Sequence, residues 1–255
     1  MTYNIRYDNP DDGEHAWPQR KEWLSQWLLE EKVDILGIQE GLKHQVAYLE
    51  EELDQFDSYG VGRDDGKAKG EFCTIFYRSK RFEPLKQSTF WLSETPGSVS
   101  TGWDAALPRI ASWLILKDKE SGHEFLVVNT HFDHRGEQAR RESAKLLLQK
   151  IPVIADGRQV VVMGDFNASP STDAYRSLTN ANFVLQDAQD ESLRSLGPDR
   201  TFSGFKVSES PTGDRIDHIF VSQQIEVRTH TIFDNHRDGK YPSDHLPVVA
   251  ELQIE

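Results

Sequence analysis

The stretch Val160-Val161-Val162-Met163 is apolar without a break and stops abruptly at Gly164-Asp165-Phe166-Asn167. A strand with one face in water would alternate polar and apolar residues, so an unbroken run of this length predicts a strand covered on both faces. Such a strand needs a layer of structure on either side. That requirement selects layered α/β architectures over an open sheet.

The rest of the chain supplies those layers. Tyr3 to Tyr7 reads as extended, and Pro18 opens a helix in which Trp23, Leu24, Trp27 and Leu28 share one face. Val33 to Ile38 reads as a short buried strand ending at Gln39-Glu40, and Lys43 to Leu53 as a second helix. Ser58 to Gly62, Glu71 to Tyr77 and Phe82 to Leu92 read as strands, with the Gly-rich loop Asp64 to Gly70 dividing the first two. Ile110 to Leu116 and Glu124 to Phe132 predict a hairpin around Ser121-Gly122, followed by a helix over Glu137 to Ile151. A short capped helix is expected over Ser171 to Leu178, and the last strands over Thr212 to Val221, Ile225 to Phe233 and Pro247 to Ile254. Buried and alternating strands interrupted by a few helices predict two packed sheets with helices outside. With 255 residues and 37% hydrophobic content, one α/β domain over residues 1–255 is expected, and no linker or repeat divides it.

Several function classes are disfavoured. No apolar run is long enough to cross a bilayer. The net charge of −13 argues against broad attraction to nucleic acid or an anionic membrane, although a local basic groove can sit on an acidic protein. Cys73 is the one cysteine and lies in the apolar run Phe72 to Tyr77, so it reads as a small buried hydrophobe rather than a nucleophile. Residues 1 to 8 lack the basic and apolar segments of a signal peptide, yet a strand begins almost at once, so upstream residues are possible and localisation stays open.

Chemistry concentrates at the ends of the strands. Asn4 lies in the first, and Glu40 closes the apolar run Ile35-Leu36-Gly37-Ile38, where a carboxylate is costly unless it is paired or bound to metal. Alternation in Phe125 to Phe132 puts Val127, Asn129 and His131 on one face, with His134 and Arg135 beyond in the loop. His131 reads either as a structural hydrogen bonder or as part of a site. Asp165 and Asn167 follow the buried strand side by side, Phe166 pointing away between them; Asn167-Ala168-Ser169 fits a glycosylation sequon but sits in a turn too tight for a glycan. Arg215 to Val221 alternates so that Arg215 and Asp217 share one face while His218 packs on the other. Asp217 can fix the tautomer of a histidine, and His245, beside Asp244, is the candidate partner.

Taken together in this chain order, the clusters from Asn4 to His245 resemble the endonuclease/exonuclease/phosphatase superfamily. That superfamily includes abasic-site endonucleases, pancreatic-type deoxyribonucleases, neutral sphingomyelinases, deadenylases and inositol polyphosphate 5-phosphatases. The resemblance implies a four-layer α/β sandwich with the site at one edge of two mixed sheets. It also implies Glu40 as the main Mg²⁺ (or Mn²⁺) ligand, with Asn4 nearby and Asp244 close to the metal. Asp165 would orient or deprotonate the attacking water, Asn167 would hold a phosphate oxygen, and Asp217 and His245 would form the Asp-His pair. His131 is similar to the second histidine of the deoxyribonuclease and sphingomyelinase branches, and Arg109 to a phosphate-contacting arginine; His134 is a further candidate for substrate contact. Arg6 stands where some abasic-site nucleases carry an acidic residue, which argues against a second metal ligand there. The stretches Asn4 to Asp8 and His131 to Gly136 resemble an uncharacterised bacterial branch.

The expected activity is therefore metal-dependent hydrolysis of a phosphate ester, monoester or diester, by in-line attack of an activated water. A small phosphorylated metabolite or headgroup is the favoured substrate, because only Arg78 to Arg81 and Arg135 to Arg141 approach a basic strip. The alternatives are a nuclease acting on DNA or RNA, and a catalytically silent binding protein of the same fold. A monomer is expected.

Overall fold

The computed structural model describes residues 1–180, 185–208, 210 and 212–254. In chain order its strands and α-helices are β1 (Thr2–Asn4), α1 (Trp17–Glu30, preceded by a 3-10 helix over Pro10–His15), β2 (Ile35–Gly41), α2 (Lys43–Glu52), β3 (Phe56–Tyr59), β4 (Phe72–Arg78), β5 (Phe82–Trp91), β6 (Ile110–Asp118) and β7 (Glu124–His131). There follow α3 (Glu137–Ala155), β8 (Gln159–Asp165), α4 (Asp173–Thr179), β9 (Leu185–Asp187), α5 (Ala188–Glu191), β10 (Arg194–Leu196), β11 (Asp217–Ser222), β12 (Glu226–Ile232) and β13 (Val248–Gln253).

The strands form a seven-stranded sheet, ordered β10-β12-β13-β1-β2-β4-β3, and a six-stranded sheet, ordered β5-β6-β7-β8-β11-β9. Both are mixed: β1 runs parallel to β2 and β7 parallel to β8, while β13 and β11 pair antiparallel with β1 and β8. The sheets pack face to face over a core that includes Ile75, Leu114, Val127, Val161, Met163, Ile219 and Val248. On the outer side of the first sheet, Trp17, Leu24, Leu28 and Leu49 of the helices cover Tyr3, Leu36, Ile38 and Phe76. On the outer side of the second, Ala144, Leu147, Ile151 and Leu178 cover Leu126, Val128, Val160 and Val162. The result is the four-layer α/β sandwich, and β8 lies buried on both faces as its apolar run requires.

Two glycines permit the close approach of the sheets and strands. A Cβ on Gly37 would stand 2.7 Å from the Met163 side chain and 2.9 Å from Asn129 across the sandwich. At Gly164, φ is +156° and a Cβ would meet the Thr130 carbonyl oxygen at 2.1 Å, so β7 and β8 pair at this register only with glycine there.

The first strand is shorter than its pattern suggests. It ends at Asn4, and Arg6 adopts a left-handed backbone (φ 56°) instead of continuing the strand to Tyr7. The third strand is Phe56–Tyr59 rather than Ser58 to Gly62, and β11 starts at Asp217, so Thr212 to Ile216 lie outside it. Helix α3 runs past Pro152 to Ala155 and closes on Asp156 in the left-handed conformation. Strands β9 and β10 and helix α5 carry no periodic signal of their own.

Candidate active site

Strand register assembles the site. In the second sheet His131 of β7 pairs with Asp165 of β8, and Asp165 with Asp217 of β11, which sets three polar side chains in a row across three strands. In the first sheet Asn4 pairs with Gln39, leaving Glu40 just beyond, at a left-handed residue (φ 65°) where the β2–β4 register shifts. The segment before β13 adds Asp244 and His245.

Asn4 joins the sheets. Its Nδ2 donates to Glu40 Oε1 and to Asp165 Oδ2, both at 3.0 Å. Its Oδ1 accepts from the Arg6 amide at 3.0 Å and keeps a second lone pair. The Tyr7 amide donates to Glu40 Oε2 at 3.1 Å, which fixes that carboxylate from the loop side. Beneath them, Gln39 Nε2 donates to Asn129 Oδ1 at 2.7 Å, and Asn129 Nδ2 donates to the Ile38 and Thr74 carbonyls. Asn129 is thus a buried bridge between the sheets, one layer below the reacting groups.

His245 Nδ1 donates to Asp217 Oδ2 at 2.8 Å, which fixes the ring and turns Nε2 toward Asp165 Oδ2, 3.8 Å away. Asp165, Asp217 and His245 bring potential ligand atoms within 4.8 Å of one another. The hydrogen bond accounts for that closeness without an ion. Asp165 Oδ1 accepts from the Asn167 amide at 2.9 Å, and Asn167, itself left-handed (φ 46°), donates Nδ2 to the Phe132 carbonyl at 3.1 Å.

The surroundings shift the two histidines in opposite directions. Burial opposes charge on His245, but Asp217, Asp165 and Asp244 outweigh it and raise its pKa well above the ordinary value. Burial, with the nearby charges of Arg109 and Arg63, lowers that of His131 well below. Burial and the Asp217 charge raise the Asp165 carboxyl to about 7, against the pull of His245.

Glu40, Asp244 and Asn4 offer hard oxygen donors of the kind Mg²⁺ and Mn²⁺ take. Like charge is crowded here: after burial, the Glu40 charge is the leading cause that raises the Asp244 carboxyl, and it also pushes up Glu71. A cation relieves that repulsion, so the donor set fits a divalent metal. Arg6, paired with Asp12 at 2.9 Å, approaches Asp244 to 3.7 Å and sets a positive charge beside that carboxylate.

Arg109 is buried, its Nε donating to Asp133 Oδ2 at 3.3 Å and its Nη2 to His134 Nδ1 at 2.9 Å, while Nη1 is buried without a partner. His134 remains 43% exposed beside it. Glu71 was not singled out from the sequence. It holds Arg63 through two hydrogen bonds, at 2.6 and 2.9 Å, and lies 3.9 Å from His131 Nδ1. The signal that marks Glu40, a carboxylate abutting an apolar run, is equally present at Glu71-Phe72-Cys73.

Arg215 departs from the alternation expected of it. It precedes β11, and its Nη1 donates to Asp187 Oδ2 at 2.7 Å and lies 3.0 Å from His218 Nδ1, on the side away from Asp217. His218 is fully buried, its Nε2 donating to the Ala168 carbonyl at 2.9 Å, among Phe166, Tyr175 and Phe220. Cys73 is buried, and burial raises its thiol pKa to about 12, so it is no nucleophile.

Residues 1–245 match the model of the Endonuclease/Exonuclease/phosphatase family. An endonuclease/exonuclease/phosphatase structure from Bacteroides vulgatus is 44% identical and superposes with a TM-score of 0.96, over 100% of this chain and 97% of that one. A Bacteroides thetaiotaomicron mannosyl-6-phosphatase is 39% identical with a TM-score of 0.95, over 99% and 98% of the two chains. Rat nocturnin is 24% identical over 93% of this chain, which spans 59% of nocturnin's length.

Proposed function

The chain belongs to the endonuclease/exonuclease/phosphatase family, and from that premise we propose that it is a Mg²⁺- or Mn²⁺-dependent hydrolase of small phosphate esters, a sugar phosphomonoester foremost. Relatives of the chain are phosphatases and nucleases, so hydrolysis of a phosphate ester is the chemistry its residues have to perform. The observation that carries the reading is the row Asp217–His245–Asp165, tied to Glu40 through Asn4.

Glu40, with Asp244 and an oxygen of Asn4, would hold the metal, which when bound polarises the phosphoryl oxygens and offsets their charge. Asp165 is placed to take the proton of a water lined up behind phosphorus, and Asn4 and the Asn167 amide hold its two oxygens in place. His245, kept cationic and oriented by Asp217, is placed to donate to a phosphoryl oxygen as negative charge gathers there. His131, 3.4 Å from Asp165 Oδ2, offers a neutral imidazole on the opposite flank. Arg109, buried with one nitrogen unpartnered, supplies positive charge, and the more exposed His134 beside it offers a ring nitrogen to substrate oxygens.

The preference for a small ester rests on two supports. One relative of high identity bears the name mannosyl-6-phosphatase. Four arginines of the two basic clusters also have partners within the protein: Arg78 and Arg81 pair with Asp34, Arg81 also with Asp118, Arg140 donates to the Asp133 carbonyl, and Arg141 approaches Glu142. The test uses metal-stripped protein, with and without added Mg²⁺ or Mn²⁺, and follows phosphate release from mannose 6-phosphate and p-nitrophenol release from bis(p-nitrophenyl) phosphate. Metal-dependent release from the monoester supports the reading; turnover without metal, or of the diester alone, overturns it.

A further inference from the structure

Phe202 is 45% exposed, and among the described residues the other exposed large hydrophobics are aliphatic. Its ring meets His245 edge to face, with 5.2 Å between centroids and 69° between planes. An aromatic left in water beside a catalytic histidine contributes little to the core, so its position calls for another reason.

The loop that carries it is fixed at every step. Thr201 N and Phe202 N donate to the Asp214 carbonyl, Ser203 N and Gly204 N to the Asp244 carbonyl, and Leu246 N to the Thr201 carbonyl. Thr201 Oγ1 accepts from the Ile216 and Asp217 amides at 2.9 and 3.0 Å, which ties the loop directly to the start of β11. Behind it, Phe205 stacks on His15 at 4.5 Å. The Phe202 ring is therefore presented by a rigid backbone anchored to the same residues that hold the Asp217–His245 pair. A preorganised aromatic surface binds with little ordering cost.

We propose that Phe202 is the platform on which a pyranose ring carrying the scissile phosphate packs its C–H face, making it a residue that selects the leaving group. The inference rests on the phosphomonoesterase reading above. A phosphoryl oxygen that accepts from His245 brings the ester beside that histidine, and the exposed Phe202 ring packed against it is an apolar surface within reach of the ester's carbon skeleton.

Phe202→Leu keeps bulk against His245 but removes the aromatic face, and Phe202→Trp keeps the face. The quantity to measure is the ratio of kcat/KM for mannose 6-phosphate to that for glycerol 3-phosphate, which has no ring. A loosened His245 would lower both values by the same factor and leave the ratio unmoved. The proposal expects Phe202→Leu to lower the ratio about tenfold, chiefly through KM for the sugar ester, and Phe202→Trp to preserve it. Saturation-transfer NMR on the metal-free protein gives an independent readout: magnetisation should pass from aromatic protons to the hexose in the wild type and be lost in Phe202→Leu. An unchanged ratio, or undiminished transfer in Phe202→Leu, overturns the proposal. If the ratio falls only for adenosine 5′-phosphate against glycerol 3-phosphate, the platform serves a nucleobase and the pyranose assignment is wrong. If the wild type with metal releases phosphate from none of these esters, the phosphomonoesterase reading has failed, and this inference with it.

Discussion

Asn4 and Asp165 belong to different sheets, yet Asn4 Nδ2 stands 3.0 Å from Asp165 Oδ2 and makes the two sheets share one polar edge. The same nitrogen reaches Glu40 at 3.0 Å, so one donor separates two carboxylates that would otherwise repel. Asp165→Asn keeps the shape of the side chain but removes the proton acceptor. It also removes a charge that burial and Asp217 already disfavour. Turnover is expected to fall by at least about 100-fold, while the melting temperature stays level or rises. Steady-state kinetics beside calorimetric melting checks both halves; a kcat within a few fold of wild type would remove Asp165 as the base.

Glu40→Ala takes away a charged oxygen donor at the end of β2 and frees the Tyr7 amide. Mg²⁺ affinity and activity are expected to drop together, with the loss of activity partly restored at high metal concentration. Calorimetric titration of Mg²⁺ decides it, and an unchanged affinity would place the metal elsewhere.

His218 behaves as a core residue. It has no exposed surface, and it donates to Ala168 and packs on Phe166, Tyr175 and Phe220. Replacing it with alanine opens a cavity and leaves the Ala168 carbonyl without its donor, at a cost of about 3 kcal/mol. The melting temperature is expected to fall by several degrees while kcat stays within about threefold of wild type at a temperature where the variant is folded. A fully folded His218→Ala protein without turnover would show that the ring acts on the chemistry.

Part of the candidate site was legible in the sequence because Glu40 closes an apolar run, where an unpaired charge is costly, and Asp165 directly follows another. The β8 run likewise predicted its own burial and hence the layers around it. Other features depend on partners distant in sequence. Arg215 was placed with Asp217 by alternation, but it lies before the strand begins, and Asp187, which lies 28 residues away in sequence, draws it to the opposite side. Asn129 became an inter-sheet bridge only because Gln39 faces it across the sandwich. Strand β1 stops at Asn4 because the backbone turns left-handed at Arg6, which composition alone does not reveal.

Substrate size can be read from salt. A polymer held by several phosphate contacts loses affinity steeply as salt rises, whereas a small ester releases few counterions. With a net charge of −13 and four arginines of its basic clusters engaged internally, the protein is expected to hydrolyse mannose 6-phosphate faster than it nicks plasmid DNA. Its kcat/KM should vary by less than about threefold between 50 and 200 mM salt. Rapid, salt-sensitive plasmid nicking would replace the small-ester reading with a nuclease.

His230 gives the fold an acid-sensitive point on β12, a strand that carries none of the proposed metal donors. It is 1% exposed, and neither ring nitrogen has a hydrogen-bond partner. Burial lowers its pKa from 6.5 to about 4. An unfolded chain takes up this proton as pH falls through 6.5, whereas the folded protein resists it until about 4. The group's effect on stability is therefore flat above 6.5 and increasingly unfavourable from there down to 4, amounting to about 3 kcal/mol. His230→Phe keeps a planar ring without a titrating nitrogen. Urea unfolding of wild type and variant at pH 7.5, 5.5 and 4.5 should show a stability difference that shifts in the variant's favour with each step down in pH. Parallel losses in the two proteins would mean that His230 is protonated in the folded state and finds a partner there.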